Sequence, residues 1–206
     1  VNDCKYVSIL LPEVFGINNW IRSFSEKLAQ QNVPVLALPL YGRTAPNLDL
    51  EYSEEDLKLG RHHKNLTTLK NIIEDVSAAI NWVKEKYPLK KISIIGFCFG
   101  GHAAFIASSL KGIESSFCFY GAGVVSLRND TNSAPIDLLE KVSGKLNFIC
   151  GSSDDLIPLR DRLEIKKRFK KLDPFGKRFS YVEIERADHG FMCEERESFD
   201  KAASLI

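Results

Sequence analysis

The chain has 206 residues, a length typical of one α/β domain that buries a substantial core without disulfides. Its 28 lysines and arginines against 27 aspartates and glutamates give a formal net charge of +1, so charge gives no reason to expect nucleic acid or a membrane surface as a partner. No apolar run approaches the roughly 20 residues that span a bilayer and nothing resembles a signal peptide, so we expect a cytoplasmic protein.

Short apolar segments alternate along the chain with longer segments of helical periodicity. The predicted strands are Tyr6–Leu11, Pro34–Leu38, Lys91–Ile95, Ser116–Phe119, Leu146–Cys150 and Phe179–Ile184. The predicted helices are Trp20–Gln31, Leu66–Lys86, His102–Leu110, Ile136–Val142, Leu159–Leu172 and Glu195–Leu205. This alternation predicts a three-layer α/β fold with a mostly parallel sheet of about six strands, in a single domain over residues 1–206.

Residues 44–65 form a long polar connection after the second predicted strand. They are poorly periodic and include the acidic run 51–56. Long connections in compact domains often serve as lids over a site. A solvated loop with a short helix fits the same residues, and both interpretations remain open.

A cysteine follows the third predicted strand, within Gly96-Phe97-Cys98-Phe99-Gly100-Gly101. A strand, a glycine turn and a helix in succession form the nucleophile elbow G-x-S-x-G of α/β-hydrolases, here with cysteine in place of serine. The N-terminus of the following helix favours a thiolate and a developing oxyanion, for which the Phe99 N–H is a natural donor. A buried turn cysteine is the alternative to a nucleophile.

Polar residues after other predicted strands are candidate partners of Cys98, because ligands bind at the carboxyl ends of parallel strands. Asp154 follows the fifth strand and His189 follows the sixth, so nucleophile, acid and histidine occur in the order that α/β-hydrolases use. In this hypothesis His189 takes and returns the thiol proton, and Asp154 orients the imidazole. Asp155 is a rival for the role of the acid.

The cysteines do not indicate a disulfide framework or a zinc ribbon, because their number is odd and no two form a C-x-x-C pair. They are Cys4, Cys98, Cys118, Cys150 and Cys193. Cys98 and His102 could share a helix face as metal ligands, but no third ligand is evident, and we expect no metal and no cofactor. Cys193 could line the pocket or oxidise with Cys98, which leaves a thiol redox or stress protein as an alternative function. A non-catalytic binding module on the same fold is another.

Several stretches together resemble the dienelactone hydrolase family, or carboxymethylenebutenolidases, over nearly the full chain. They are Pro12-Glu13-Val14-Phe15-Gly16-Ile17-Asn18, Leu40-Tyr41-Gly42-Arg43, the turn around Cys98, Tyr120-Gly121, and Asp154 with His189. The resemblance implies an α/β-hydrolase fold and a Cys-His-Asp triad that cleaves a small-molecule ester or lactone through a thioester acyl-enzyme. It also implies a monomer or weak dimer.

The resemblance implies roles for further residues. Glu13 would contact the resting thiol until substrate displaces it, and the Val14 N–H would be the second oxyanion donor. Arg43 matches one of two arginines that bind the substrate carboxylate in the family, whereas Cys193 stands at the position of the other and Arg196 is the nearest arginine. The remaining residues expected to bind substrate are Tyr41, Tyr120 and Phe191. By the same resemblance we expect this chain to lack the N-terminal β-hairpin that precedes the first strand in the family.

Overall fold

Six parallel strands form the sheet at the centre of the molecule, whose computed structural model describes residues 5–205. The strands are β1 (Tyr6–Leu11), β2 (Val35–Ala37), β3 (Lys91–Phe97), β4 (Ile113–Phe119), β5 (Lys145–Gly151) and β6 (Phe179–Ile184), in the spatial order β2-β1-β3-β4-β5-β6. Every neighbouring pair is parallel. The predicted α/β fold with a sheet of about six strands is confirmed.

In the described part of the chain, five α-helices accompany the strands: α1 (Asn19–Gln30), α2 (Glu54–Leu66), α3 (Leu69–Lys86), α4 (Phe99–Ala107) and α5 (Leu159–Leu172). Short 3-10 helices cover Pro135–Lys141 and Ala203–Leu205. The side chains of Asn18, Ser53 and Thr68 cap the first three helices by accepting a backbone N–H three residues on. None of the helices within residues 5–205 is long and apolar enough to cross a lipid bilayer.

Helices cover both faces of the sheet because right-handed crossovers lead in opposite directions from β1. On one face, Trp20 of α1 packs against Phe97 of β3 with ring centroids 4.7 Å apart. On the other, Phe105 of α4 packs against Phe148 of β5 at 6.1 Å. All nine residues of α4 are buried, so this helix lies at the centre of the core.

The strand order changes direction at β1, which creates a topological switch point. The first crossover leads outward from β1 to β2, and the next returns past β1 to β3. Ligands of open α/β sheets bind in the crevice at such a point, outside the carboxyl ends of the strands. Glu13 follows β1 and Cys98 follows β3, so both lie at this crevice.

Several predicted boundaries differ from the structure. The strands β1 and β6 and the helix α5 have the predicted bounds, and β3, β4 and β5 are longer than predicted. The helix predicted from Leu66 begins at Leu69, because a capping box at Thr68 starts α3 and Leu66 closes α2. The predicted helix Ile136–Val142 is a 3-10 helix.

The helix predicted over Glu195–Leu205 is wrong. This segment is a series of turns that ends in a 3-10 helix at Ala203–Leu205. The Asp200 side chain accepts the N–H groups of Ala202 and Ala203 at 2.9 and 3.0 Å. A short acidic side chain that binds nearby backbone competes with helical hydrogen bonds, which accounts for the turns.

The long polar connection contains a full helix. Of residues 44–65, those from Glu54 onward belong to α2, whose first turn carries three acidic residues that suit a helix N-terminus. Its lid role and the single-domain assignment of residues 1–206 stay predictions.

Candidate active site

Cys98 stands at the turn between β3 and α4 with a φ of 54° and a ψ of −114°. This conformation is costly for a residue with a side chain and is concentrated at functional sites. A Cβ atom at Gly96 would lie 2.0 Å from the carbonyl oxygen of Gly100, and one at Gly100 would lie 2.1 Å from that of Leu11. Strand, turn and helix therefore meet backbone to backbone, and their packing holds the strained cysteine in place.

His189 and Asp154 form a buried hydrogen-bonded pair. His189 Nδ1 lies 2.8 Å from Asp154 Oδ2, and Asp154 Oδ1 accepts the Leu156 N–H at 2.9 Å. Asp154 is 1% exposed, whereas its rival Asp155 is exposed to solvent. Since Nδ1 donates to the carboxylate, Nε2 is the nitrogen left to exchange a proton, and it has no hydrogen-bond partner within residues 5–205.

The His189 imidazole is poised to carry a positive charge. Burial lowers its pKa, but the negative charge of a Cys98 thiolate and the hydrogen bond to Asp154 outweigh that effect and raise the pKa to about 10. At neutral pH the site therefore favours the protonated imidazolium form of His189.

Two backbone N–H groups are free to bind an oxyanion. Phe99 is the first residue of α4, so its N–H has no intrahelical acceptor. Val14 lies in the turn after β1 that Gly16 closes by donating to the Glu13 carbonyl at 3.3 Å. Neither N–H donates a hydrogen bond within the described part of the chain.

A cavity of about 560 Å³ opens onto this site, and Cys98, His189, Val14 and Phe99 all line it. One wall comes from α2 through Leu57, Arg61, Lys64 and Asn65, and another comes from the consecutive residues 126–130. The volume and the mixed lining suit a small-molecule substrate.

Helix α2 lies directly against the turn that carries Val14. A Cβ atom at Gly60 would be 2.3 Å from the Val14 carbonyl oxygen. Only glycine permits this approach, so α2 and the turn after β1 pack as one unit.

Glu13 does not contact the Cys98 thiol through a hydrogen bond. Its side chain is 1% exposed, and Oε1 accepts from Arg196 Nη1 at 3.1 Å while Oε2 has no partner within residues 5–205. Burial raises the pKa of Glu13, and the charges of Arg196 and His189 oppose that rise without cancelling it. The resting contact with the thiol expected from the family resemblance is replaced by an ion pair with Arg196.

Arg196 lies at the candidate site. The sequence singled it out only as the arginine nearest to Cys193, the position at which the family has an arginine. Arg196 lines the cavity, and its guanidinium lies over the Tyr52 ring at 5.9 Å. The neighbouring Cys193 is buried, lies outside the cavity lining and donates its thiol hydrogen to the Tyr52 hydroxyl at 3.1 Å. Cys98 and Cys193 are both free thiols.

The structure does not bring Arg43 to the cavity. Its guanidinium binds Glu74 at 3.0 Å and Asp75 at 2.7 Å on the surface. A role for Arg43 in binding a substrate carboxylate stays a prediction, and this position does not support it.

The other residues expected to bind substrate are buried behind the cavity lining. Tyr41 stacks on Phe99 with ring centroids 5.9 Å apart, and Tyr120 packs edge-on against His189 at 5.1 Å and against Phe191 at 5.2 Å. These aromatic rings hold Phe99 and His189 in position rather than face the cavity.

His102 is not placed as a metal ligand. Its Nδ1 lies 2.9 Å from the Ala122 carbonyl oxygen and its Nε2 lies 2.8 Å from Arg128 Nη1. Within residues 5–205 no group of three or more His, Cys, Asp or Glu side chains could hold a metal ion.

Known proteins share this sequence and fold. The dienelactone hydrolase family model matches residues 3–205. A candidate carboxymethylenebutenolidase from Synechocystis sp. is 32% identical over 200 residues, which cover 96% of this chain and 80% of that protein. Carboxymethylenebutenolidase 1 from Cupriavidus pinatubonensis is 22% identical over 210 residues, with 99% and 82% covered.

Among solved structures, a candidate dienelactone hydrolase from Klebsiella pneumoniae has the same fold. It superposes with a TM-score of 0.83 at 19% identity, and the match covers 100% of this chain and 84% of that one.

Proposed function

This chain belongs to the dienelactone hydrolase family, and from that membership we propose that it cleaves small carboxylic esters or lactones with Cys98 as its nucleophile. One observation carries the proposal. The strained Cys98 turn and the His189–Asp154 pair open onto the same cavity, together with two unused backbone N–H groups.

The first half-reaction forms a thioester. His189 holds the thiol proton as an imidazolium, and the Cys98 thiolate adds to the substrate carbonyl carbon. The carbonyl π electrons move to oxygen, where the N–H groups of Phe99 and Val14 stabilise the oxyanion, each typically by about 2.7–4 kcal/mol. The adduct collapses as the C–O bond to the alcohol breaks, and the departing alkoxide takes the proton from His189.

The second half-reaction releases the acid. Water gives a proton to His189 Nε2 while its oxygen adds to the thioester carbonyl, and the same two N–H groups stabilise the oxyanion. The C–S bond then breaks, which restores the thiolate beside the imidazolium and releases the carboxylic acid. For a lactone, alcohol and acid leave as one ring-opened molecule.

Asp154 supports both half-reactions without receiving a proton. Its carboxylate fixes the imidazole with Nδ1–H inward and stabilises the imidazolium that each step requires.

The proposal is tested by replacing the nucleophile. Cys98→Ala should reduce hydrolysis of p-nitrophenyl acetate and of an unsubstituted lactone by about 10⁵-fold or more, because the covalent route is lost. Activity should be compared with that of Cys193→Ser, which removes a thiol outside the cavity and should leave turnover largely unchanged. Retained turnover in Cys98→Ala would overturn the assignment, and loss of activity in Cys193→Ser would favour the two-thiol redox alternative.

The setting of the reaction is also part of the proposal. We predict that the protein is cytoplasmic, that it is a monomer or weak dimer, and that it acts on a free small molecule. Size-exclusion chromatography at several concentrations would test the oligomeric state.

A further inference from the structure

Residues 126–130, which form one wall of the cavity, have few attachments to the rest of the molecule. Their backbone hydrogen bonds stay local, from Ser126 N–H to the Gly123 carbonyl and from Thr131 N–H to the Arg128 carbonyl. Within residues 5–205, every hydrogen bond from residues 125–131 to other parts of the fold runs through the side chains of Arg128 and Asp130. The position of this wall therefore depends on two side chains.

Arg128 joins three segments of the protein at once. Its Nη2 donates to the Thr67 carbonyl at 2.8 Å, at the end of α2, and its Nη1 donates to His102 Nε2 in α4 at 2.8 Å. Its Nε donates to Asp130 Oδ1 at 2.9 Å, and Asp130 in turn accepts the Leu69 N–H at the start of α3. Arg128 thus spans from its own wall to the wall formed by α2.

His102 is suited to receive the arginine. It is buried one helical turn after Cys98, and burial and the nearby Arg128 charge lower its pKa to about 4. The ring is therefore neutral, with Nδ1–H donated to the Ala122 carbonyl and Nε2 left as an acceptor. His102 therefore binds both Ala122, which precedes residues 126–130, and Arg128 within them.

We propose that Arg128 is the specificity-determining residue of the cavity, and that His102 is the positioning residue that holds it. By tying residues 126–130 to the end of α2, Arg128 fixes the separation of the two walls and so limits the size of the groups that reach Cys98. The part of this inference that concerns natural substrates rests on the proposed hydrolase function. The part that concerns the separation of the two walls does not depend on that function.

Alkylation of Cys98 tests the inference without requiring turnover. The rates of modification by iodoacetamide, a small reagent, and by N-(1-pyrenyl)maleimide, a bulky one, can be measured by mass spectrometry of the Cys98 peptide. Arg128→Ala should raise the ratio of the bulky to the small rate by about tenfold, the scale on which pockets discriminate by size. Arg178→Ala is the matched control, because that arginine also binds a backbone carbonyl, of Val142 at 2.7 Å, but lies outside the cavity lining.

Substitutions of His102 separate positioning from general structural support. In His102→Gln the amide can still donate to Ala122 and accept from Arg128, so this variant should keep the wild-type ratio. His102→Leu loses both bonds and should match Arg128→Ala. An unchanged ratio in Arg128→Ala, or an equal change for both reagents, would overturn the proposal.

Hydrolysis provides the second readout. The kcat/KM for p-nitrophenyl hexanoate relative to the acetate should rise in Arg128→Ala by a similar factor. If the wild-type protein hydrolyses neither ester nor lactone, the proposed function fails, whereas the alkylation ratio still decides the role of Arg128.

Discussion

The two neighbouring aspartates after β5 have opposite environments. Asp154 is buried and hydrogen-bonded to His189, whereas Asp155 points to solvent. The order of residues in the sequence favoured Asp154 but left Asp155 as a rival, because a turn can present either of two adjacent carboxylates. The geometry supports Asp154 as the orienting acid.

Asp154→Asn should lower kcat for p-nitrophenyl acetate by about 10³-fold or more, because the amide would no longer fix the imidazole tautomer. Asp155→Asn should change kcat by less than about twofold, as expected of an exposed side chain. Steady-state kinetics of the two variants checks this prediction, and a larger loss in Asp155→Asn would mean that the wrong carboxylate is assigned.

Residues that act through distant partners were beyond the reach of the sequence. The placing of Cys98 and His189 on one cavity, with Asp154 bound to His189, could be predicted, since strand ends and residue order are local features. The bond from Arg196 to Glu13 joins residues 183 apart and that from Arg128 to His102 joins residues 26 apart. No local periodicity marks such pairs, and only the packed fold brings them together.

At the scale of elements, buried strands were the most predictable part of the chain. Short runs rich in β-branched, aromatic and other apolar residues gave the bounds of β1 and β6 to the residue, because such residues favour strands. The connection 44–65 left α2 as one of two open interpretations, since the helix is largely polar and only Gly60 in it is buried. The final predicted helix is wrong because the Asp200 side chain binds nearby backbone N–H groups instead.

The contact of Gly60 with Val14 couples α2 to the turn that carries the proposed oxyanion donor. Gly60→Ala should lower kcat for p-nitrophenyl acetate by about 10- to 100-fold, because the new methyl group displaces the turn that carries an oxyanion donor. Intrinsic helix propensity favours alanine over glycine by about 1 kcal/mol, so a loss of α2 itself is not the expected cause.

Lys58→Ala is the control for Gly60→Ala, since it lies on the same helix outside the cavity lining and should keep wild-type kcat. Steady-state kinetics decides between the two outcomes. Wild-type kcat in Gly60→Ala would show that α2 and the oxyanion turn move independently.

At the scale of the whole molecule, two ion pairs tie the segment after β6 to the region after β1. Arg196 binds the buried Glu13 at 3.1 Å, and Lys27 of α1 binds Glu194 at 2.6 Å. The first pair is largely buried, whereas both partners of the second are about half exposed. Their contributions to the free energy of unfolding should therefore differ.

Arg196→Ala should lower the free energy of unfolding at pH 8 by about 3–5 kcal/mol, because it leaves the Glu13 carboxylate buried and unpaired. Lys27→Ala should cost less than about 1 kcal/mol, since exposed ion pairs are weak. Urea denaturation of both variants checks the difference, and equal losses would contradict the assignment of a buried pair.

The pH dependence of that loss follows from the raised pKa of Glu13. As pH falls toward 5, the unpaired Glu13 carboxylate of Arg196→Ala takes up a proton at a higher pH than an ordinary glutamate does. The loss in the free energy of unfolding relative to wild type should therefore shrink. A deficit that grows on acidification would contradict this sign.

The ion pair between Glu13 and Arg196 also bears on how the purified protein must be handled. A carboxylate engaged elsewhere gives the Cys98 sulfur no shield, and Cys98 lines an open cavity beside His189. Such a sulfur is readily converted by peroxide to sulfenic acid and then, irreversibly, to sulfinic acid. Preparations stored without a reductant should therefore lose activity with time. Inactivity of an aged sample would then reflect oxidation of the Cys98 sulfur rather than an inability of the folded protein to catalyse the reaction.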